Sequence, residues 1–189
     1  MWAVLWLGLF ACAPHEGGIK ALPHRELRTD EERLVVSVAA LARDFPSFHP
    51  VVERAGIQHG DGEDGSHTLI YEYNYGSGST NSVRTSTTLY AMDSEGQAHR
   101  TFAALTPHSL DQLKENFPTA TRGPGWVAWG DESVCGPILE SGEIIGNLCS
   151  FRRGTKMLFF SLTGVAYTRP EDLDALLKPR LSALESWRP

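Results

Sequence analysis

The chain reads as an α+β protein, a single antiparallel sheet with helices packed on it, and three observations carry that reading. Segments of alternating, β-branched or aromatic residues follow one another between residues 51 and 91, and again between 126 and 163, with Gly-bearing polar turns between them. Helical segments stand apart from these runs, around residues 29–43, 93–116 and 169–187. Runs of strands with helices segregated from them are the pattern of helices laid on one antiparallel sheet.

Each element has a local reason. Thr29-Asp-Glu-Glu32 is a capping-box start for a helix running through Arg43, which must end before Pro46. Val51–His59 and His67–Tyr75 read as strands around the acidic, Gly-rich loop Gly60–Gly65, and alternation puts Leu69, Tyr71, Tyr73 and Tyr75 on one face. After the reversal at Gly76-Ser-Gly-Ser-Thr80, residues Ser82–Ala91 form a β-branched third strand. Asp93–Leu105 is a helix weakened by Gly96, with Ser109–Asn116 a second short helix or its continuation past Pro107. Trp126–Trp129, the segments around Cys135 and Cys149, and Lys156–Thr163 supply the remaining strands. Arg169–Trp187 closes the chain as a helix, with Pro170 suited to its first turn and Pro179 kinking its middle.

The first twelve residues say more about place than about fold. Met1–Ala11 is an apolar run without a charged side chain, and it ends at Cys12. A spanning helix needs roughly 20 apolar residues, whereas roughly 7–15 suit the core of an export signal. Leu9-Phe10-Ala11-Cys12 resembles the lipobox of bacterial lipoproteins, in which the cysteine takes up fatty chains and becomes the new N-terminus. That resemblance implies a signal peptide over residues 1–12, lipidation at Cys12 and an extracytoplasmic, membrane-anchored product. Ala13 after the cysteine is similar to lipoproteins forwarded to an outer membrane. The rival is a buried apolar strand or helix. Residues 13–28, with two Pro and two Gly, read as a flexible tether, leaving residues 29–189 as one α+β domain.

Cys135 and Cys149 lie in two apolar runs joined by the polar turn Glu140-Ser-Gly-Glu143. If the reversal centres on Gly142, the two cysteines face each other on neighbouring strands and form a disulfide. A bridge of this loop size stabilises by about 3 kcal/mol in the chain-entropy model. It persists in an oxidising compartment, in agreement with export. The alternatives are free buried thiols, a redox pair or metal ligands. The spacing is not Cys-x-x-Cys, and no His flanks either cysteine at ligand spacing.

Composition narrows the partners. Hydrophobic residues make up 41% of the 189 and charged residues 21%, a globular balance. A net charge of -6 argues against nucleic acid or an anionic lipid surface as the main partner.

No catalytic residue, cofactor or metal is expected. Ser, His and Asp are present without a Gly-x-Ser-x-Gly elbow, and the Gly76-Ser-Gly-Ser run lacks the Lys and Ser/Thr of a phosphate loop. His59 and His67 approach each other if their loop closes a hairpin, with Asp61, Glu63 and Asp64 nearby, but the spacing fits no zinc or calcium pattern. Gly130-Asp131-Glu132 reads as a turn before it reads as a carboxylate pair. The best candidates for a ligand face are aromatic: Tyr71, Tyr73 and Tyr75 with Trp126 and Trp129, suited to a glycan, peptide or apolar ligand.

The run Trp126-Val-Ala-Trp-Gly-Asp-Glu-Ser133, the hairpin after it, Phe151-Arg-Arg-Gly154 with an apolar strand, and a final helix resemble bacterial extracytoplasmic lipoprotein and sensor-type domains, PsbP-like α+β relatives among them. The resemblance covers the C-terminal third and lends no catalytic residue. The expectation is therefore a non-catalytic domain in the cell envelope. It would be tethered to the membrane by the N-terminal lipid and would bind an envelope protein or small ligand, with no role for nucleic acid. The alternatives are an envelope enzyme using Asp131, Glu132 and a His, and a structural surface protein.

Overall fold

The computed structural model describes residues 19–21, 26–47, 55–75 and 83–189. Cys12 and the rest of the leader lie outside them. In chain order the elements are β1 (Ile19–Ala21), α1 (Thr29–Glu32), α2 (Val38–Asp44), β2 (Ala55–Gly62), β3 (His67–Tyr75), β4 (Val83–Ala91), α3 (Glu95–Lys114), β5 (Thr121–Arg122), β6 (Glu132–Glu140), β7 (Glu143–Arg153), β8 (Lys156–Thr163) and α4 (Pro170–Ser186). The strands form one sheet in the order β1-β2-β3-β4-β8-β7-β6-β5, with every neighbouring pair antiparallel. Two meanders therefore meet at β4 and β8, and α3 is the crossover between them.

Helices cover both faces. Alternation sends Leu158, Phe160 and Leu162 of β8 to one side, where they pack with Leu173, Leu177 and Leu181 of α4 and with Val38 and Leu41 of α2. Met157 and Phe159 point the other way, onto Ala98 and Phe102 of α3. The far end of α3 closes over Ile138 and Leu148.

Strands β3 and β8 have the bounds read from the sequence, and β4 is described over Val83–Ala91, Ser82 lying outside the described residues. Elsewhere the structure corrects the reading. The helix expected over 29–43 is two helices, because Leu34, Val35 and Val36 are all buried and no single helix stripe can bury three consecutive residues. The break lets the Val36 N–H donate to Thr87 Oγ1 at 3.1 Å, and the Ser37 hydroxyl caps α2. The helix starts with Arg28, not Thr29, in the N-cap position, and only half of a capping box forms: the Arg28 N–H donates to the buried Glu31 carboxylate at 2.9 Å, while the guanidinium has no acceptor to return the bond. α3 runs unbroken through Pro107 and α4 through Pro179. Strand β2 begins at Ala55, and Val51–Arg54 lie outside the described residues. Ile19–Ala21, within the stretch read as a tether, pairs with Gly60–Gly62 as an edge strand.

Trp126–Trp129 is not a strand. The segment touches the β6 edge through Gly123 N–H to Pro137 O at 2.8 Å and Trp126 N–H to Cys135 O at 2.7 Å, while Pro124 between them has no N–H to give. Gly136 allows this approach, since a Cβ there would stand 2.2 Å from the Pro124 carbonyl oxygen.

Cys135 and Cys149 are bridged, with Cα atoms 3.9 Å apart. The reversal itself is tighter than one centred on Gly142: Ser141 and Gly142 both take positive φ, 53° and 86°, as a two-residue turn. A bulge at Ile145 adds the missing residue back, so the two cysteines still stand opposite. The Cys135 carbonyl turns away from β7 toward Trp126, which makes this the closer, non-hydrogen-bonded kind of pair.

Candidate functional site

At one end of the sheet the β2–β3 turn, the end of β4, the β7–β8 turn and the residues after α4 enclose an open cleft of about 630 Å³. Its shape depends on two glycine turns. Gly65 has φ 75° and lies under the Asp93 carboxylate, where a Cβ would clash at 2.2 Å. Gly154 has φ 58°, and its N–H donates to Asp131 Oδ2 at 2.7 Å.

Aromatic, basic and acidic side chains share the walls. Trp129 meets Phe151 edge-on at 6.4 Å between ring centroids, and the Arg153 guanidinium lies 5.6 Å from the Trp129 centroid. Arg153 also pairs with Glu185. Lys156 Nζ donates to the Glu185 carbonyl oxygen at 2.7 Å. Burial and then the charge of Arg188 lower the Lys156 pKa, against a smaller opposing pull from Glu185. Arg188 donates to the Trp187 carbonyl oxygen at 3.0 Å, and its own carbonyl accepts from Arg28 Nη2 at 2.7 Å, which ties down the segment after α4.

Two ring nitrogens at this site lack partners. Trp187 is 1% exposed, and its Nε1–H has no hydrogen-bond acceptor. His67 holds Asp61 Oδ1 through Nδ1 at 2.5 Å, while its Nε2 is buried and unmatched. The two rings are 6.1 Å apart. An unmatched buried polar atom costs about 1–3 kcal/mol.

Beside the cleft, Asp131 and Glu132 converge on Arg152, and His99 Nδ1 lies 2.9 Å from Glu132 Oε1. Burial raises the Glu132 pKa, but the hydrogen bonds from His99 and Arg152 outweigh it and the net shift is downward. These carboxylates already hold the β7–β8 turn and the start of α3.

Of the aromatic residues singled out from the sequence, Trp129 lines the cleft. Tyr71 and Tyr73 share a face, as alternation requires, and that face is the interior one; both are buried in the main core. Trp126 packs against the same core, and the side chain of Tyr75 lies outside the described residues. His59 and Asp61 pair in register with Leu69 and His67, and among the described residues no group of three or more His, Cys, Asp or Glu is arranged to hold a metal ion. In the sequence His67 stands out only as a candidate metal ligand beside His59, and Lys156, Trp187 and Arg188 carry no signal as site residues, because nothing in the sequence links them to the turns they meet.

Comparison with protein-family models, with curated proteins and with solved structures finds no match to the chain.

Proposed function

We propose that this chain is a bacterial envelope lipoprotein, anchored through fatty chains on Cys12, whose single α+β domain captures a small ligand or an envelope protein without catalysis. The cleft supports the binding half of that reading: an open hollow with aromatic, basic and acidic walls lies where Trp187 Nε1 and His67 Nε2 are left unmatched. The Leu9-Phe10-Ala11-Cys12 motif supports the anchor, and the Cys135–Cys149 bridge supports an oxidising compartment. Among the described residues no helix is long and apolar enough to cross a membrane, so the lipid is the attachment this reading relies on. The resemblance to sensor-type and PsbP-like domains belongs to the same proposal.

Mass spectrometry of the protein isolated from its membrane tests it. The expected product begins at Cys12, carries a diacylglyceryl group and is two hydrogens lighter than its reduced form. An intact, unmodified leader overturns the anchor.

A cell-envelope enzyme is the second reading, favoured by the approach of His99 to Glu132 beside Asp131. Activity on a cell-wall substrate that disappears in Asp131→Asn at unchanged stability would support it.

A further inference from the structure

We propose that the cleft receives the carboxylate of an apolar organic acid, seated between the Lys156 ammonium and the Arg188 guanidinium, with its apolar part against Trp129. This rests on the ligand-binding reading above and names the chemistry of the ligand.

Among the described residues no carboxylate stands within ion-pair distance of Lys156 or Arg188; both donate to backbone carbonyl oxygens instead. Glu185, the nearby acid, is engaged by Arg153. Two cations thus share one hollow with no carboxylate in contact with either, and Glu185, acting on Lys156 from a greater distance, offsets only part of the cost that burial and Arg188 impose. Burial and Arg188 together depress the Lys156 amine, the strain that a bound anion relieves. The indole Nε1–H of Trp187, next in sequence to Arg188, is a further donor without an acceptor.

Two other observations define the rest of the ligand. Trp129, Met92 and Leu184 give the hollow an apolar wall. Asp93, from the turn between β4 and α3, and Glu95, the first residue of α3, line it as well and disfavour a second negative charge. A monoanion with an apolar body satisfies both conditions, whereas inorganic phosphate satisfies neither.

The test uses the full chain in detergent micelles, with the indole N–H signals of Trp129 and Trp187 followed by NMR during titration with benzoate, benzamide or inorganic phosphate. Benzoate is expected to shift both signals, with uncharged benzamide and phosphate about tenfold weaker or worse. Lys156→Met and Arg188→Met should each weaken benzoate about tenfold, with thermal midpoints near that of the parent. Benzamide or phosphate matching benzoate overturns the carboxylate assignment and leaves a ligand cleft. Unchanged benzoate affinity in both variants overturns it too. If none of the three probes moves either indole signal, the carboxylate assignment and the ligand cleft both fail.

Discussion

The two faces of the sheet are covered by different means. On one, α2 and α4 bury an almost wholly apolar layer in which Leu158, Phe160 and Leu162 meet Leu173, Leu177 and Leu181. On the other, α3 makes apolar contact at two separate patches, around Phe102 and Phe159 and around Leu148 and Ile138. Polar ties do much of the remainder: Gln97 to Asp64 at 2.5 Å, His99 to Glu132 at 2.9 Å, and Arg122 to the Thr106 carbonyl oxygen at 3.2 Å. The hydroxyls of Ser86 and Ser150 on this side of the sheet, and of Thr106 within the helix, have no partner. A layer held by separated contacts over unmatched hydroxyls opens at lower free energy than one held by continuous apolar packing. The α4 face is therefore expected to hold more firmly than the α3 face, although the Thr85 hydroxyl on the α4 side is unmatched as well.

The sharpest way to break that contrast is to damage the stronger face. Leu177 is fully buried in α4, and Leu177→Ala should cost about 2–5 kcal/mol, measured as a shift in urea midpoint. A loss below about 1 kcal/mol would mean that α4 is no more essential than α3.

A smaller effect is expected at the tie between α3 and the sheet. The Glu132 pKa is depressed below its ordinary 4.5, so its contribution is fully present above that value and is lost as pH falls through the lower, folded-state value. Glu132 is partly exposed, which limits the effect to under about 1 kcal/mol. Glu132→Gln should therefore flatten part of the decline in stability between pH 5 and acid, roughly the range over which such a carboxylate is protonated. An unchanged acid limb would show that the His99 and Arg152 contacts do not hold this helix.

How much of this was legible depends on whether the signal was local. β3 and β8 could be read to the residue because period-two alternation and flanking turns lie within one short window. The disulfide register was legible for a less direct reason, since the bulge at Ile145 offsets the shortness of the Ser141-Gly142 turn. Leu34-Val35-Val36 misled because an apolar triplet fits a helix until the tertiary core claims all three side chains. Alternation puts the tyrosines of β3 on one face, but which face is interior is a property of the whole sheet, and Tyr71 and Tyr73 are buried in the core instead of presented to a ligand. Trp129 was visible as an aromatic residue, whereas His67, Lys156 and Arg188 meet only because distant elements end at the same edge.

The smallest effect, and the one most specific to the contrast, is at Ser150. Its side chain points to the α3 face beside Phe159 in the ladder, the residue is completely buried, and its Oγ has no hydrogen-bond partner. A hydroxyl buried without a partner costs about 1–3 kcal/mol on mutational scales, while removing it leaves a void of one atom. Ser150→Ala is thus expected to be neutral or to stabilise by up to about 1 kcal/mol, opposite in sign to Leu177→Ala. A loss greater than about 1 kcal/mol would show that an ordered water bridges Ser150 to its neighbours beneath α3. The polar layer would then be a satisfied network, and the two faces would differ in chemistry without differing in strength.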